Sequence, residues 1–569
     1  MSGRFLSRWI KAIALVLILI GIGFRCTNLD IKPFWEDEVY TITRTVGYQR
    51  ATIEKQLNQT LISVASLDRY RDPGSGQSIL ETARALASAS EHTPLYFLLL
   101  RPWTQIVGHS VAAVRSLSVV FSVIGLGVCY LLGRSLFPDD AATGDSAGWG
   151  AATVVALSPM ILRYSQEARP YSLWFIFIGL SIWALLRAWR SPSQKNWGIY
   201  GLTLVLAFYT QLLTVFVIFA QGCALVIHGF TSSATGSATS GDVEDNIESG
   251  IGRNTGGSFK NIIKDLWLQG TLKSWGLTTL ISAIAMSPWL ALALLRRTSI
   301  GYQTNWLKDP LEFPVLFRRW GTGFSYAWLD FTKETRGLWF IVAAVLMVGV
   351  AIATLYLWRQ TQSRNTPNQQ RDGITLLLCT TVIPALIIVL MDVLLGGRRS
   401  TVSRYVIPAY MGLTIITGAA LGIALAGKTG EARSPLKKLG LGAGATVLFV
   451  ISCFSCVQLN QAETWWGLSK GVNLFAEAIR DNPQAIVVSD RRIGQTLELA
   501  YSLPDNREIW WTKNAQELPP TLPDSLEDKA IALFSPSDAL KSAIAQQRNI
   551  PEESAYSGSN LDLWILPAP

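Results

Sequence analysis

The apolar segment at residues 9–26, WIKAIALVLILIGIGFRC, has the length of a helix that crosses a bilayer. No small-residue cleavage site follows Ile22-Gly23-Phe24-Arg25, so this helix is expected to remain as an anchor rather than to be removed as a signal peptide. Similar apolar runs recur along the chain, and their number decides the fold class.

The composition of the whole chain agrees with a membrane protein. Of its 569 residues, 49% are hydrophobic and only 16% are Asp, Glu, Lys or Arg, and the mean hydropathy is +0.29. Soluble proteins carry about 25% charged residues. The composition therefore excludes a single soluble domain, a disordered chain and a nucleic-acid-binding protein, although the pI is 9.2.

Eleven segments have the length and hydropathy of membrane spans. They lie near residues 9–26, 112–134, 147–162, 171–188, 196–210, 213–230, 274–296, 337–358, 374–396, 405–426 and 439–458. A twelfth stretch, 94–108, is short and carries Arg101 and Pro102, so we expect a juxtamembrane helix on the outer face. The basic loops then lie inside, which predicts a multi-pass protein of the plasma (inner) membrane with a cytoplasmic N-terminus and an extracytoplasmic C-terminus.

Three regions outside the spans are long. Residues 27–111 form the first outer loop, and residues 231–273 form a Ser-, Thr- and Gly-rich inner loop that we expect to be flexible. The tail, 459–569, alternates strand-like and helix-like runs, which predicts a small extracytoplasmic α/β domain. The expected fold is thus an all-α polytopic domain over 1–458 followed by an α/β domain over 459–569.

The glycines in Gly440-Leu441-Gly442-Ala443-Gly444 superficially resemble a nucleotide-binding loop. No strand precedes them and they begin a span. We therefore expect them to allow close packing between helices.

Several arginines break the rule that short outer loops lack positive charge. An arginine at membrane depth costs about 2.5–3.5 kcal/mol on insertion scales, so an anionic partner is expected. That partner is either a lipid headgroup or neighbouring carboxylate, or a phosphate ligand, whose oxygens match the guanidinium fork. The arginines concerned are Arg163, Arg169, Arg398, Arg399 and Arg404.

Acidic residues collect on the same predicted face. Residues 34–40 are FWEDEVY, and Glu167 lies between the third and fourth spans. Carboxylates at an apolar boundary suit a general base or a metal ligand, and the alternative is a solvated acidic loop. Flanking aromatic residues at both positions, and arginines beside Glu167, favour a functional site.

The inner loops limit the substrate. The longest has 43 residues and is too short and too polar to fold as a nucleotide-binding domain. The clustered polar residues all face outward, where nucleotide sugars are not available. An enzyme of this layout needs an activated substrate that is already in the membrane, and a lipid-linked phosphate is the natural candidate.

Four motifs in order resemble one family. They are WEDEVYT at 35–41, HTPLYFLLLRPW at 92–103, YSQEARPYSL at 164–173 and RYVIPAY at 404–410. Together, over roughly residues 9–426, they are similar to the GT-C polytopic glycosyltransferases, specifically the family 39-like group of protein O-mannosyltransferases and aminoarabinose transferases. The resemblance implies transfer of a sugar, with inversion, from a polyprenyl-phosphate donor to an acceptor on the outer face. The acceptor could be a protein, a lipid or a glycan.

The resemblance also implies roles for individual residues. Asp37 would be the base that takes the acceptor proton, and Glu38 would support it or place the acceptor. Glu167 matches a second acidic position, where it could orient the acceptor, hold Arg169 or join Asp37 around a divalent ion. No other cofactor is expected.

The donor side of the site is implied in the same way. His92 matches a position near the donor phosphate, and Arg404 with Tyr405 matches a late Arg-Tyr pair, with Arg404 a candidate for the leaving phosphate. Arg163 and Arg169 are further substrate-binding candidates from their places at outer mouths of spans. Gln211 stands where many relatives carry His, so it receives no donor contact.

Two other interpretations remain open. A lipid-linked sugar flippase or another transporter would place ionisable residues at mid-bilayer, whereas the predicted span interiors are nearly free of charge. A catalytically inactive scaffold would present the 459–569 domain, and the presence of Asp37, Glu167 and Arg404 argues against it.

Overall fold

We analysed the chain in a computed structural model. The structure describes the following residues: 2–239, 270–330, 336–362, 368–427, 435–466, 468–480, 482–515, 526, 528–548 and 563–566. These residues group into two compact units. The first, called the helical unit, comprises 1–25, 120–165 and 171–458, and the second, called the mixed unit, comprises 26–119, 166–170 and 459–569.

Helices dominate the described residues. In chain order they are α1 Ser2–Cys26, α2 Glu36–Val46, α3 Arg50–Leu57, α4 Val64–Leu67, α5 Ile79–Ser88, α6 Leu95–Val107, α7 Val111–Ser135, α8 Ala141–Ala156, α9 Pro159–Ser165, α10 Tyr171–Arg190, α11 Gln194–Thr210 and α12 Thr214–Thr239. They continue with α13 Thr271–Leu295, α14 Arg297–Gln303, α15 Phe313–Ser325, α16 Arg336–Gln362, α17 Asn368–Leu395, α18 Ile407–Ala426, α19 Pro435–Gln461, α20 Lys470–Ala478, α21 Ile493–Ala500 and α22 Asp538–Gln547.

Among the described residues, seven helices are long and apolar enough to span a membrane. They are Arg8–Cys26, Val111–Ser135, Tyr171–Arg190, Thr271–Leu295, Gln369–Leu395, Ser403–Ala426 and Gly440–Gln461. Each coincides with a predicted span, and shorter apolar helices lie at Thr214–Gly229 and Met347–Leu357. The protein is therefore a multi-pass integral membrane protein, while the count of eleven spans stays a prediction.

Two sequence-predicted boundaries differ from the structure. The predicted span 147–162 is interrupted, because α8 ends at Ala156 and α9 starts at Pro159. A proline disfavours helical geometry at the residue before it, here Ser158. The predicted inner loop is helical up to Thr239, where α12 ends, and 240–269 lies outside the described residues.

Glycines bring α8 and α18 into close contact in the helical unit. A Cβ on Gly150 would overlap the carbonyl oxygen of Gly418, and a Cβ on Gly418 would lie 2.7 Å from the Cα of Ala151. By contrast, a Cβ on Gly440, Gly442 or Gly444 meets no atom within 4 Å among the described residues. The close packing predicted for residues 440–444 is therefore wrong there. It occurs instead at Gly150 and Gly418, since small residues let helix backbones approach.

Gly418→Ala is expected to destabilise the helical unit. The added methyl group meets backbone atoms that cannot rotate away, and overpacking of this kind costs about 1–3 kcal/mol. Gly440→Ala is the matched control, because its methyl group enters open space and alanine favours helix. Thermal unfolding of both variants in detergent should show a lower Tm for Gly418→Ala alone. Equal melting temperatures would contradict the packing argument.

The mixed unit contains a five-stranded sheet. Its strands are β1 Thr60–Ser63, β2 Ile486–Ser489, β3 Glu508–Trp511, β4 Ile531–Phe534 and β5 Leu563–Leu566, in the order β1-β3-β2-β4-β5. The central strands β3, β2 and β4 are parallel, and both edge strands are antiparallel to their neighbours. Strands β2 and β4 are buried along their whole length and are apolar except for Ser489 at the end of β2, as expected for parallel strands covered on both faces.

The sheet confirms the α/β character predicted for the tail and adds a strand from elsewhere. Four strands come from residues 459–569, but β1 comes from the first outer loop and pairs Leu61 with Trp510. The independence of residues 459–569 as a separate domain stays a prediction.

The segment 94–108 forms one helix, α6 Leu95–Val107, with Pro102 inside it. The prediction of a helix shorter than a span is confirmed. Its place at the membrane interface stays a prediction.

Candidate active site

The acidic motif forms the first turn of α2, Glu36–Val46, in the mixed unit. Glu36, Asp37 and Glu38 lie where the unpaired N–H groups of a helix favour negative charge. Gly47 ends the helix at φ 115°, a conformation that favours glycine, and its N–H binds the carbonyls of Thr43 and Arg44. The helix thus holds three carboxyl groups in fixed and different directions.

Glu38 points into the protein and pairs with Arg115 of α7. Arg115 Nε lies 2.9 Å from Glu38 Oε1, and Nη2 lies 2.6 Å from Oε2. The remaining guanidinium donors bind the carbonyl oxygens of Leu29, Lys32 and Pro33. The side chains of Glu38 and Arg115 are 0% and 1% exposed, so the pair is fully desolvated and structural.

The same carboxylate anchors the loop that carries Glu167. The N–H of Ala168 donates to Glu38 Oε1 at 2.7 Å, and the N–H of Arg169 donates to the carbonyl of Glu167 at 2.7 Å. Glu167 is fully buried. Two motifs that are about 130 residues apart in the sequence therefore meet at Glu38.

Unlike Glu38, and like Glu36, Asp37 is partly exposed to solvent. Its side chain is 27% exposed, and its Oδ2 lies 3.8 Å from Arg169 Nη2. Arg169 is nearly buried and is held by Thr41 Oγ1 at 2.9 Å and by the Asp37 carbonyl at 3.1 Å. A carboxylate open on one side and flanked by a fixed guanidinium can take a proton while a nearby cation stabilises negative charge.

Arg44 lies one further turn along the same face of α2 as Asp37 and Thr41, and the sequence analysis missed it. Its guanidinium stacks on the Tyr40 ring at 5.1 Å, and its buried Nη1 donates no hydrogen bond to any described residue. Burial lowers the pKa of Arg44, against the opposing effect of Glu91. The sequence could have indicated Arg44, because residues seven positions apart, as Asp37 and Arg44 are, lie on the same face of a helix.

Arg101, from the HTPLYFLLLRPW motif, binds the other end of α2. Its Nη1 donates to the carbonyl oxygens of Thr45 and Val46 at 3.1 and 2.9 Å and to Thr82 Oγ1 at 2.7 Å. A cation at the C-terminal end of a helix complements the exposed carbonyl groups there. This motif therefore fixes the position of the acidic helix.

The N-terminal end of α2 is held by the tail of the chain. Glu498 of α21 accepts a hydrogen bond from the backbone N–H of Glu36 at 2.9 Å. The pKa of Glu498 is raised to about 7, mainly by burial, and the pKa of Glu36 is raised by burial and by Asp37. The sequence analysis assigned no site residue to the tail, because only the tertiary structure brings these carboxyl groups together.

His92 lies in the same unit, in the turn before α6. Its Nε2 is 3.6 Å from Glu91 Oε1, and its ring centre is 6.1 Å from that of Phe97. The donor-phosphate role expected from the resemblance stays a prediction.

Three predicted site residues belong to the helical unit. Arg163 is buried at the end of α9 and stacks on Tyr164 at 5.4 Å. Arg404 lies over the ring of Tyr405 at 5.6 Å, in the short turn before α18. The substrate-binding roles of Arg163, Arg404 and Tyr405 stay predictions.

The other two arginines at outer mouths have carboxylate partners. Arg399 Nη1 lies 3.0 Å from Asp392 Oδ1, and Arg398 Nη2 lies 3.0 Å from Asp309 Oδ2. The sequence analysis expected either a lipid headgroup or neighbouring carboxylate, or a phosphate ligand, beside such arginines. For Arg398 and Arg399 the partner is a neighbouring carboxylate.

The resemblance allows a divalent ion to be held between Asp37 and Glu167. Over the part of the chain that the structure describes, no three His, Cys, Asp or Glu side chains come together as a metal site. The Arg169 guanidinium lies beside Asp37, and a divalent ion held by Asp37 and Glu167 stays a prediction.

Arg115 and Glu498 were both missed from the sequence, for different reasons. Arg115 lies at the start of a predicted span, so the argument applied to the other outer arginines could have found it. Glu498 lies in an ordinary amphipathic helix of the tail, where no pattern distinguishes it.

A comparison with protein families gives one match. Residues 91–237 match the family described as dolichyl-phosphate-mannose-protein mannosyltransferase. This segment contains two of the four motifs, HTPLYFLLLRPW and YSQEARPYSL. None of the curated protein sequences is significantly similar to the chain.

Solved structures of low identity are similar to the chain. ArnT from Cupriavidus metallidurans bound to undecaprenyl phosphate is 13% identical, with a TM-score of 0.49 and 98% of each chain covered. An oligosaccharyltransferase from Archaeoglobus fulgidus, tethered to an acceptor peptide, is 12% identical, with a TM-score of 0.46 over 99% of this chain and 74% of the other. The match over residues 91–237 and the four motifs support a polytopic membrane glycosyltransferase that is similar to the GT-C, family 39-like group.

Proposed function

We propose that the protein transfers a sugar from a polyprenyl-phosphate donor to an acceptor hydroxyl on the extracytoplasmic face, with inversion at the anomeric carbon. Asp37 is the general base in this proposal. The N-terminus is cytoplasmic, and the tail with its sheet is extracytoplasmic.

The observation that carries the proposal is the difference between two adjacent carboxylates. Glu38 is fully buried against Arg115, whereas Asp37 is partly exposed beside Arg169. A hydroxyl acceptor has a very high pKa, so its proton must be removed as it attacks, and an accessible, fixed carboxylate is suited to that step. Glu38 cannot serve, because both of its oxygens are engaged.

The donor side follows from chemistry and from the family match. Departure of a lipid phosphate leaves negative charge, which prepositioned guanidinium groups stabilise more in the transition state than in the ground state. The matched family is described as using dolichyl-phosphate mannose, and ArnT was solved with undecaprenyl phosphate. Arg404 remains the candidate for the phosphate because of its motif position, with His92 and Arg163 as further candidates.

Movement of a lipid-linked sugar between leaflets is the second candidate function. It would need a polar path through the spans. Asp392 lies in the last turn of α17 and pairs with Arg399, which follows the helix, so the charge of Asp392 is already neutralised by a neighbouring residue.

The test is sugar transfer by the purified protein in liposomes that contain a panel of hexosyl and pentosyl polyprenyl phosphates together with peptide, lipid and glycan acceptors that carry free hydroxyl groups. We expect transfer of the sugar, with release of polyprenyl phosphate, from one of these donors. We expect no sugar transfer from nucleotide sugars, since the proposed donor is lipid-linked. Movement of labelled lipid between leaflets without donor consumption would instead establish the transporter. Absence of both activities across the panel would contradict the proposed donor class.

A further inference from the structure

We propose that Glu498 is a positioning residue for the reaction: its carboxylate caps α2 and thereby fixes Asp37. The residue lies in the 459–569 tail, so the inference assigns a part in the reaction to that region. It rests on the proposed function, in which Asp37 is the general base.

The first observation is the hydrogen bond at the start of α2. The residue before the helix, Trp35, makes no side-chain capping bond, and its carbonyl oxygen accepts hydrogen bonds from the N–H groups of Glu38 and Val39. Glu498 Oε2 supplies an acceptor to the N–H of Glu36 at 2.9 Å, from 462 positions further along the chain. Asp37 is the next residue, so this bond acts directly on its backbone.

A second contact holds the two helices together. The N–H of Gly494, in the first turn of α21, donates to the Tyr40 hydroxyl at 3.2 Å. A Cβ at Gly494 would lie 2.6 Å from the Tyr40 ring, so glycine is needed for this approach. Tyr40 and Asp37 lie one turn apart on α2, and α21 therefore contacts both turns that present Asp37.

The helix is also held at its other end. Arg101 binds the carbonyl groups of Thr45 and Val46. An anion at the N-terminal end and a cation at the C-terminal end both match the helix dipole. Because the C-terminal end is fixed separately, loss of Glu498 should loosen the first turn rather than unfold the helix.

The charged surroundings of Glu498 give it a pH signature. Burial raises the pKa of Glu498, and the negative charges of Glu36 and Glu38 on α2 raise it further. The hydrogen bonds from the Ser469 hydroxyl and the Glu36 N–H lower the pKa. Arg50 of α3 and Arg492, beside the start of α21, lower the pKa of Glu36 by their positive charge. The ionised carboxylate of Glu498 is a stronger hydrogen-bond acceptor for the Glu36 N–H than the protonated form is.

The experiment compares Glu498→Ala, Glu498→Gln and the control Glu508→Gln, in liposomes with the donor that the wild-type protein uses. Glu508 is a half-exposed carboxylate at the start of β3 in the same unit, and it pairs with Lys529. We expect kcat of Glu498→Ala to fall about tenfold, the size of a lost helix cap, with donor KM changed less than about twofold. Glu498→Gln keeps a carbonyl acceptor, so it should retain most of kcat but lose the rise of kcat through about pH 7.

Hydrogen exchange of the amides in residues 34–46 gives a readout that needs no activity. We expect faster exchange in Glu498→Ala than in the wild type, and wild-type exchange in Glu508→Gln. Exchange at the wild-type rate in Glu498→Ala would overturn the inference. Faster exchange with an unchanged kcat would also overturn it, and so would equal losses of kcat in Glu498→Ala and Glu498→Gln. A wild-type protein that consumes no donor, with faster exchange in Glu498→Ala, would overturn the proposed function while supporting the cap.

Discussion

Asp37→Asn is expected to lower kcat for sugar transfer by about 10²- to 10⁴-fold, the contribution of a general base. Asparagine has nearly the same shape as aspartate but cannot accept the acceptor proton. The contact between Arg169 and the Asp37 carbonyl is a backbone contact and survives the change, so the fold should be retained. Turnover of the donor in liposomes, measured beside thermal unfolding, separates loss of catalysis from loss of structure.

Asp30→Asn is the matched control for Asp37→Asn. Asp30 is an exposed carboxylate in the same unit, and the substitution makes the same chemical change away from α2. We expect wild-type kcat from it. An Asp37→Asn variant that turns over at the wild-type rate would remove Asp37 as the base.

Arg115→Ala is expected to destabilise the mixed unit by about 3–5 kcal/mol, the cost of removing one partner of a buried ion pair. The change leaves the Glu38 carboxylate buried without its cation and removes the donors to the carbonyls of Leu29, Lys32 and Pro33. Glu38 also holds Ala168, so the loop with Glu167 and Arg169 should lose order as well. Denaturant unfolding in mild detergent measures the stability.

Arg84→Ala is the control for Arg115→Ala. Arg84 pairs with Glu81 on the surface of α5 and is 56% exposed, so its pair should contribute less than about 1 kcal/mol. Arg115→Lys keeps the charge but loses the planar fork and should be intermediate. Equal unfolding midpoints for Arg115→Ala and Arg84→Ala would refute the structural role assigned to the buried pair.

The sequence by itself determined the class of protein and most of its spans. Hydropathy depends only on local composition and length, so residues 9–26 and 374–396 could be recognised without any contact. The acidic first turn of α2 was also recognisable, because charged residues at an apolar boundary are costly and therefore informative. The resemblance of four motifs then named the family that the match at residues 91–237 supports.

Only the tertiary structure decided how those motifs act on each other. It showed that Glu38 is the buried carboxylate and Asp37 the accessible one, since that difference depends on Arg115 and Arg169 from distant segments. It also showed that Glu498 lies at the N-terminus of α2. The close glycine packing predicted for residues 440–444 is found instead at Gly150 and Gly418. Burial and pairing are set by residues far apart in the chain, and a pattern read along the sequence does not contain them.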